Sequence, residues 1–403
     1  MASITGNLRT ETDRTKQYTY LAETTPHLAT MLGFPTRCST FPALYNSTCT
    51  EIIDLACTIA AFEPVRLHAR PEDVSKAQDL ISRRLESSSS YDRPTQESNI
   101  TLIPAATNHC WVRDTGPVYV RGVEDPQQRY AIDFQFCEWG NKIGELLYNS
   151  SADKEAALAE EGADWPIMSS TQREENTLFA RRALELENQD GRHPPVIRVE
   201  SSVRLEGGGI EMDGEGTLMA AASSVLVSSR NEGLSREDIE TELARLLGIK
   251  KFIWIPGREG LDITDCHIDA EARFVRPGVV VVCKPHAKCE SVYWDIYREA
   301  REILEAATDA QGRRLQVYDI EEPDPELVKG DVAGEEDGPA ASYVNFYFVN
   351  GGLVIPAFGD VEADRKALEI LKGLVPEREV RQVAVNALPR TGGVLHCTTQ
   401  QVL

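Results

Sequence analysis

Cys397 stands in the run Gly392-Gly393-Val394-Leu395-His396-Cys397-Thr398-Thr399-Gln400-Gln401. A thiol there is either a small buried hydrophobe or a nucleophile, and a nucleophile needs a base and an orienting acid elsewhere in the chain. His267 and Asp269 offer the base: two residues apart, they share a face if the backbone between them is extended. A histidine beside a carboxylate is the usual general acid/base arrangement, with a structural histidine or a two-point metal ligand as the alternatives. Metal sites need three or four donors at recognisable spacing, and neither H-E-x-x-H nor a cysteine pair occurs. No metal and no cofactor is expected. Glu206 precedes Gly207-Gly208-Gly209 and is bracketed by Leu205 and Ile210, which suits an acid carried into the interior beside close-packed backbone. It is otherwise the exposed flank of a glycine bulge. Trp111 and Asp114 lie three apart across a turn ending in Gly116-Pro117. They are a core aromatic and a turn-capping acid, or a ring face and a carboxylate that receive a planar cation.

The elements that must position these residues alternate along the chain. Helical patterns cover Glu51 to Ala61, Pro71 to Leu85, Ser291 to Ala307 and Val361 to Leu374. A capping box at Ser235-x-x-Asp238 opens a helix with Ile239, Leu243, Leu246 and Leu247 on one face. Apolar strands are expected at Pro64 to Leu67, Ile100 to Pro104, Val118 to Val120, Val196 to Val199, Thr217 to Met219, Lys251 to Pro256, Val279 to Cys283, Tyr343 to Asn350, Leu353 to Pro356 and Val380 to Val385. Residues 87–98 read as a polar surface loop, 151–190 as a charged helical excursion, and 321–336 as an acidic loop. Several times a strand runs into a turn carrying Asp, Glu, His, Asn or Cys, and a second strand and a helix follow. That pattern fits a ring of strand–strand–helix–strand units whose polar turns converge, or an ordinary open α/β sheet.

Composition narrows the partners. The formal charge of −22 argues against nucleic acid and anionic membranes and is compatible with a cationic substrate. No apolar run approaches a membrane span, and Met1 to Asn7 shows no basic segment leading into an apolar one. Nine cysteines without a paired framework suit reduced thiols and a cytoplasmic location. Self-association into a homo-oligomer stays open.

Five motifs occur in one order: Trp111-x-x-Asp114-x-Gly116-Pro117, Glu206-Gly207-Gly208-Gly209, His267-Ile268-Asp269, Asn345-Phe346-Tyr347 with Asn350-Gly351-Gly352-x-Val354-x-Pro356, and the Cys397 run. From about residue 100 onward the sequence resembles the agmatine deiminase and bacterial-type peptidylarginine deiminase family, of the guanidino-group-modifying pentein superfamily. The resemblance implies an α/β fold of the five-bladed pseudo-symmetric propeller type, one deiminase domain over 1–403 with its active site on the central axis. By motif it implies Cys397 as nucleophile, His267 as acid/base, Glu206 as its orienting carboxylate, Asp114 and Asp269 as guanidinium ligands, and Trp111 and Asn345 lining the site. His396 has no catalytic role by this analogy and is expected to pack. Cys266 stands where the family carries a glycine.

The chemistry implied is hydrolytic deimination through a covalent amidino-cysteine, and the thiolate calls for neighbouring cations to favour it. Two extra carboxylates would oppose the oxyanion of a Cys–His–acid protease, and a non-catalytic guanidine-binding module predicts loss of the Cys or the His. Peptide-acting relatives hold the arginine's carboxylate with arginines shortly after the Trp-x-x-Asp turn. The matching stretch, Asp133 to Gly140, has none and offers Glu138. An acid there attracts an ammonium, so agmatine is the expected substrate, as in putrescine biosynthesis, with peptidyl-arginine as the alternative. Otherwise Glu138 faces solvent and discriminates nothing.

Overall fold

The computed structural model describes residues 8–87, 93–141, 168–328 and 339–403. Parts of the three segments read as loop or excursion (88–92, 151–167 and 329–336) lie outside them. The strands, in chain order, are β1 (Thr10–Glu11), β2 (Tyr18–Tyr20), β3 (Ala29–Gly33), β4 (Val65–Ala69), β5 (Ile100–Pro104), β6 (Val118–Gly122), β7 (Arg129–Asp133) and β8 (Val196–Glu200). There follow β9 (Ile210–Met212), β10 (Thr217–Ala221), β11 (Lys251–Ile255), β12 (Ala272–Arg276), β13 (Val279–Lys284) and β14 (Gln316–Glu321). The last are β15 (Tyr347–Val349), β16 (Gly352–Ala357), β17 (Glu379–Ala384) and β18 (Thr399–Val402).

Among the described residues these strands form five sheets in a mixed α/β fold, with strand orders β1-β8-β7-β6-β2, β11-β10-β9, β12-β13-β14, β15-β16-β17 and β18-β3-β4-β5. One recipe recurs: an antiparallel pair, then a helix, then a third strand added parallel. In the sheet of β12 to β14, β12 pairs antiparallel with β13, helix Ser291–Ala306 crosses over, and β14 joins β13 in parallel. Val279 to Val282 are all buried in the middle strand, as a parallel-paired strand packed on both faces requires. Ile296, Ala300 and Leu304 form the buried stripe of the crossover helix.

Helix Arg236–Leu247 repeats the device between β10 and β11. Asp238 donates its N–H to the Ser235 hydroxyl at 3.2 Å, and the Asp238 carboxylate accepts from the Ser235 N–H at 2.9 Å. Gly248, with φ at +72°, ends it in a left-handed cap that a side chain would strain. The fifth sheet joins opposite regions of the sequence, because β18 pairs antiparallel with β3. No helix among the described residues is long and apolar enough to cross a membrane.

Several expectations need correction. Of the strand expected over 343–350 only Tyr347–Val349 forms, and Pro325–Val328 of the expected acidic loop is a helical turn. Residues 93–98 of the expected polar loop belong to a short helix, Arg93–Asn99, and Gln96 is buried, donating its amide to the Cys57 carbonyl at 2.9 Å. Helices Ser170–Thr177 and Phe179–Asp190 do not skim the surface only, since Phe179, Ala183 and Leu184 are buried in a core with Met31 and Tyr119. His267 and Asp269 do not lie on an extended strand: Ile268–Glu271 is one helical turn, with His267 at its start. The cause is local. Asp265 and Cys266 have φ of +63° and +66°, which ends any strand, and the His267 N–H is held by the Thr264 hydroxyl at 3.1 Å.

Candidate active site

Among the described residues, five of the six passages of the chain from one sheet to another carry the predicted residues; the sixth, from β2 to β3, carries Glu23. Asp114 sits in the single helical turn Val112–Thr115 between β5 and β6. Glu206 and the glycines, a 3-10 turn, link β8 to β9. His267 and Asp269 lie between β11 and β12, Asn345 between β14 and β15, and Cys397 between β17 and β18. The five turns meet in one place.

Gly208 shows how tightly. A Cβ on it would lie 2.7 Å from His267 Nδ1, 2.9 Å from Asp114 Oδ1 and 3.1 Å from Asp269 Oδ2, so any side chain would enter the space these three groups share. Gly393 does the same for the nucleophile's loop: its Cβ would fall 2.7 Å from the Trp111 ring and 3.2 Å from Cys397 Cβ.

Around the half-buried Cys397, the Asn345 amide donates to Sγ at 3.3 Å, and Sγ lies 3.6 Å from Asp269 Oδ2. The Asn345 side-chain carbonyl accepts the His396 N–H at 2.9 Å, which fixes the backbone just before the thiol. His267 Nε2 meets Glu206 Oε2 at 3.2 Å, and Nδ1 lies 3.7 Å from Asp114 Oδ1. Asp114 accepts the Trp139 indole N–H at 2.9 Å on Oδ2 and the Gly208 N–H at 3.1 Å on Oδ1. Asp269 Oδ2 pairs with His396 Nδ1 at 2.7 Å, whereas Oδ1 is buried and has no hydrogen-bond partner among the described residues.

The charges follow from this geometry. Burial works against a charged His267, but Asp114, the hydrogen bond to Glu206 and Asp269 outweigh it and lift its pKa to about 9. Burial raises the carboxyl of Asp114; His267 offsets this in part, while Asp269 and Glu206 add to it. Asp269 is lowered despite its burial, because His396 donates to it and stands beside it as a cation. Cys397 departs from expectation. Burial, then Asp269 and Asp114, push its pKa well above the ordinary thiol value, so the protein side chains around it favour thiol and not thiolate.

Sequence reasoning missed the residues that hold the predicted ones. Arg230 donates its Nε to both Glu206 oxygens, at 3.0 and 2.8 Å, and a second nitrogen to Asp265 at 2.7 Å. Glu23, Trp139 and His396 likewise act on residues far away in sequence. Glu138 does not face solvent. It is 3% exposed, with Oε2 at 3.0 Å from His109 Nε2 and Oε1 accepting from the Asn176 amide at 2.7 Å. Gln135, Glu138, Trp139 and Asn141 all have positive φ, between +52° and +62°, which marks this segment as strained beneath the site. Among the described residues no group of His, Cys, Asp and Glu is arranged to hold a metal ion.

Glu206→Gln is expected to lower kcat and to move the alkaline limb of the pH–rate profile down by about one unit. The substitution removes a negative charge from His267 and leaves Arg230 nearer to uncompensated, and both effects destabilise the imidazolium. A profile with its alkaline limb unmoved would show that His267 is not the group titrating there.

The family model described as Porphyromonas-type peptidyl-arginine deiminase matches residues 19–402. The agmatine deiminase of Stutzerimonas stutzeri is 34% identical over 411 residues, covering 97% of each chain. That of Medicago truncatula is 30% identical over 402 residues, covering 94% of this chain and 95% of the relative. The solved structure titled agmatine deiminase of Enterococcus faecalis superposes with a TM-score of 0.77 at 24% identity, over 96% of each chain, and shares the fold. This chain belongs to the Porphyromonas-type peptidyl-arginine deiminase family.

Proposed function

We propose that this protein hydrolyses the guanidino group of agmatine to N-carbamoylputrescine and ammonia through a covalent intermediate on Cys397. The observation that carries this reading is a thiol beside a carboxylate with an oxygen to spare: Sγ is 3.6 Å from Asp269 Oδ2, and Asp269 Oδ1 is buried without a donor. A guanidinium supplies the missing N–H, and its planar fork suits two carboxylates better than any neutral group does. Asp114 and Asp269 take it from two sides, Trp111 flanks it, and Asn345 orients the sulfur.

The thiol's high pKa then becomes part of the mechanism. Arrival of the guanidinium offsets the two carboxylates that keep Sγ protonated, so the nucleophile ionises when substrate is in place. The thiolate adds to the guanidinium carbon. His267, charged at neutral pH with its pKa near 9, gives a proton to the departing ammonia. It then takes one from the water that attacks the amidino-cysteine, whose collapse returns the ureido product and the sulfur. Glu206, clamped by Arg230, keeps the ring in place throughout.

We read the five sheets as blades of a pseudo-symmetric propeller with the site at its axis, and residues 1–403 as one domain. Support comes from five turns, each joining one sheet to another, that each deliver a candidate site residue. The nine free cysteines fit a reducing compartment such as the cytoplasm.

Glu138 has two protein partners, so its bias toward an amine-ended substrate is electrostatic. It lies one residue from Trp139, whose indole holds Asp114. Ammonia release measured side by side from agmatine, free arginine and a peptide ending in arginine tests the reading. Agmatine should lead, and Glu138→Gln should weaken it selectively. Preference for the peptide would replace agmatine with a protein substrate.

A further inference from the structure

We propose that His396, held by Glu23, is a positioning residue that fixes Asp269 as a guanidinium acceptor; this rests on the guanidine-hydrolysing reading above. His396 precedes the nucleophile, yet its ring turns away from the sulfur. Nδ1 lies 2.7 Å from Asp269 Oδ2 and Nε2 lies 3.0 Å from Glu23 Oε2, with the ring buried. Carboxylate oxygens only accept, so both ring nitrogens donate and the ring carries two protons.

Glu23 cannot swing aside. Its Oε2 also accepts from Arg113 at 3.1 Å, and its Oε1 accepts from Arg273 at 3.2 Å and from the Phe348 N–H at 2.9 Å. The backbone of His396 is fixed too, through its N–H on the Asn345 carbonyl at 2.9 Å. A buried ring pinned at both ends therefore donates to one oxygen of Asp269 and, among the described residues, leaves the other, Oδ1, without a donor. The chain Glu23–His396–Asp269 accounts for the contrast between the two clamp acids. Both acids are buried, yet Asp269, hydrogen-bonded by His396, is held below the usual carboxylate range, while Asp114, which His267 meets only at 3.7 Å, is raised. The hydrogen bond and charge of His396 lead in keeping Asp269 ionised, with His267 and Arg273 adding to them.

Two substitutions separate this role from packing. The amide nitrogen of Asn sits where Nδ1 does, and that of Gln sits where Nε2 does. His396→Asn therefore keeps a donor on Asp269, and His396→Gln keeps one on Glu23 only. Agmatine binding is read by calorimetry in a Cys397→Ser background, where nothing turns over, and KM and kcat are read in the Cys397 enzyme. His396→Asn should bind within about tenfold of the parent, and His396→Gln should bind about 100-fold more weakly, the value of a charge-assisted hydrogen bond. The loss in the Cys397 enzyme should fall mainly on KM. Equal losses in the two variants, or parental binding by His396→Gln, would overturn the inference. Should His396→Gln fail to fold, His396→Asn decides alone: binding within about tenfold upholds the donor on Asp269, and a larger loss overturns it. Wild-type ammonia release tests the underlying reading separately. If it is absent while the gap between Asn and Gln persists, the positioning role stands and the deiminase reading falls.

Discussion

With Cys397 replaced by Ala, ammonia release from agmatine should fall by about 10⁴-fold or more, because no other group lies where the covalent bond must form. Asn345, the nearest donor to the sulfur, has no nucleophilic atom, and the carboxylates of Asp114 and Asp269 face the substrate's charge. Mass spectrometry of acid-quenched wild-type enzyme during turnover should find the amidino adduct on the peptide bearing Cys397, and the variant should show none. Fold and substrate affinity should survive, since the loop is held by Asn345 and by Gly393 against Trp111 and not by the sulfur. Full turnover by Cys397→Ala would remove the covalent scheme altogether.

The second large effect has two opposite signs in one variant. Asp269→Asn keeps the shape of the side chain and removes its charge, so kcat/KM should drop by about 2–4 kcal/mol, the cost of losing a desolvated charged contact. The same change removes one of the two negative charges that hold the Cys397 thiol protonated. Below the thiol's pKa the thiolate fraction rises as that pKa falls, so alkylation of Cys397 by iodoacetamide at pH 8 should speed up while turnover collapses. Asp114→Asn should do both as well. If turnover stays within about threefold of wild type, or alkylation slows, the carboxylates neither clamp a guanidinium nor hold the thiol.

The legible and illegible parts of this molecule divide by distance along the chain. Helix Ser291–Ala306 and the cap at Ser235 were readable because their signals, an apolar stripe and a reciprocal side chain–backbone pair, lie within a few residues. The candidate site residues stood out because each sits in a turn with its own short pattern. The shape of one such turn was not: the His267 to Asp269 spacing suggested a strand, and two left-handed residues before it made a helical turn instead. Arg230 behind Glu206 and Glu23 behind His396 carry no local mark, since a buried ion pair between distant segments looks, in sequence, like two ordinary surface charges. The thiol's electrostatics were misjudged for the same reason. The acids that face it come from two other turns, and only their convergence sets its protonation.

The pairing of β18 with β3 ties the nucleophile's position to the folding order of the chain. Thr399 stands opposite Leu32, so the register that aims Cys397 is set by strands from opposite regions of the sequence. A contact of such long range closes late, because the entropy of the intervening chain has to be overcome first. Until it closes, Cys397 has neither Asn345 nor the two acids around it, and a half-folded chain carries an ordinary cysteine. Catalysis is thus withheld until the molecule is assembled, and until then Cys397 is an ordinary thiol, more open to general thiol reagents than the native one that burial and the two acids hold protonated.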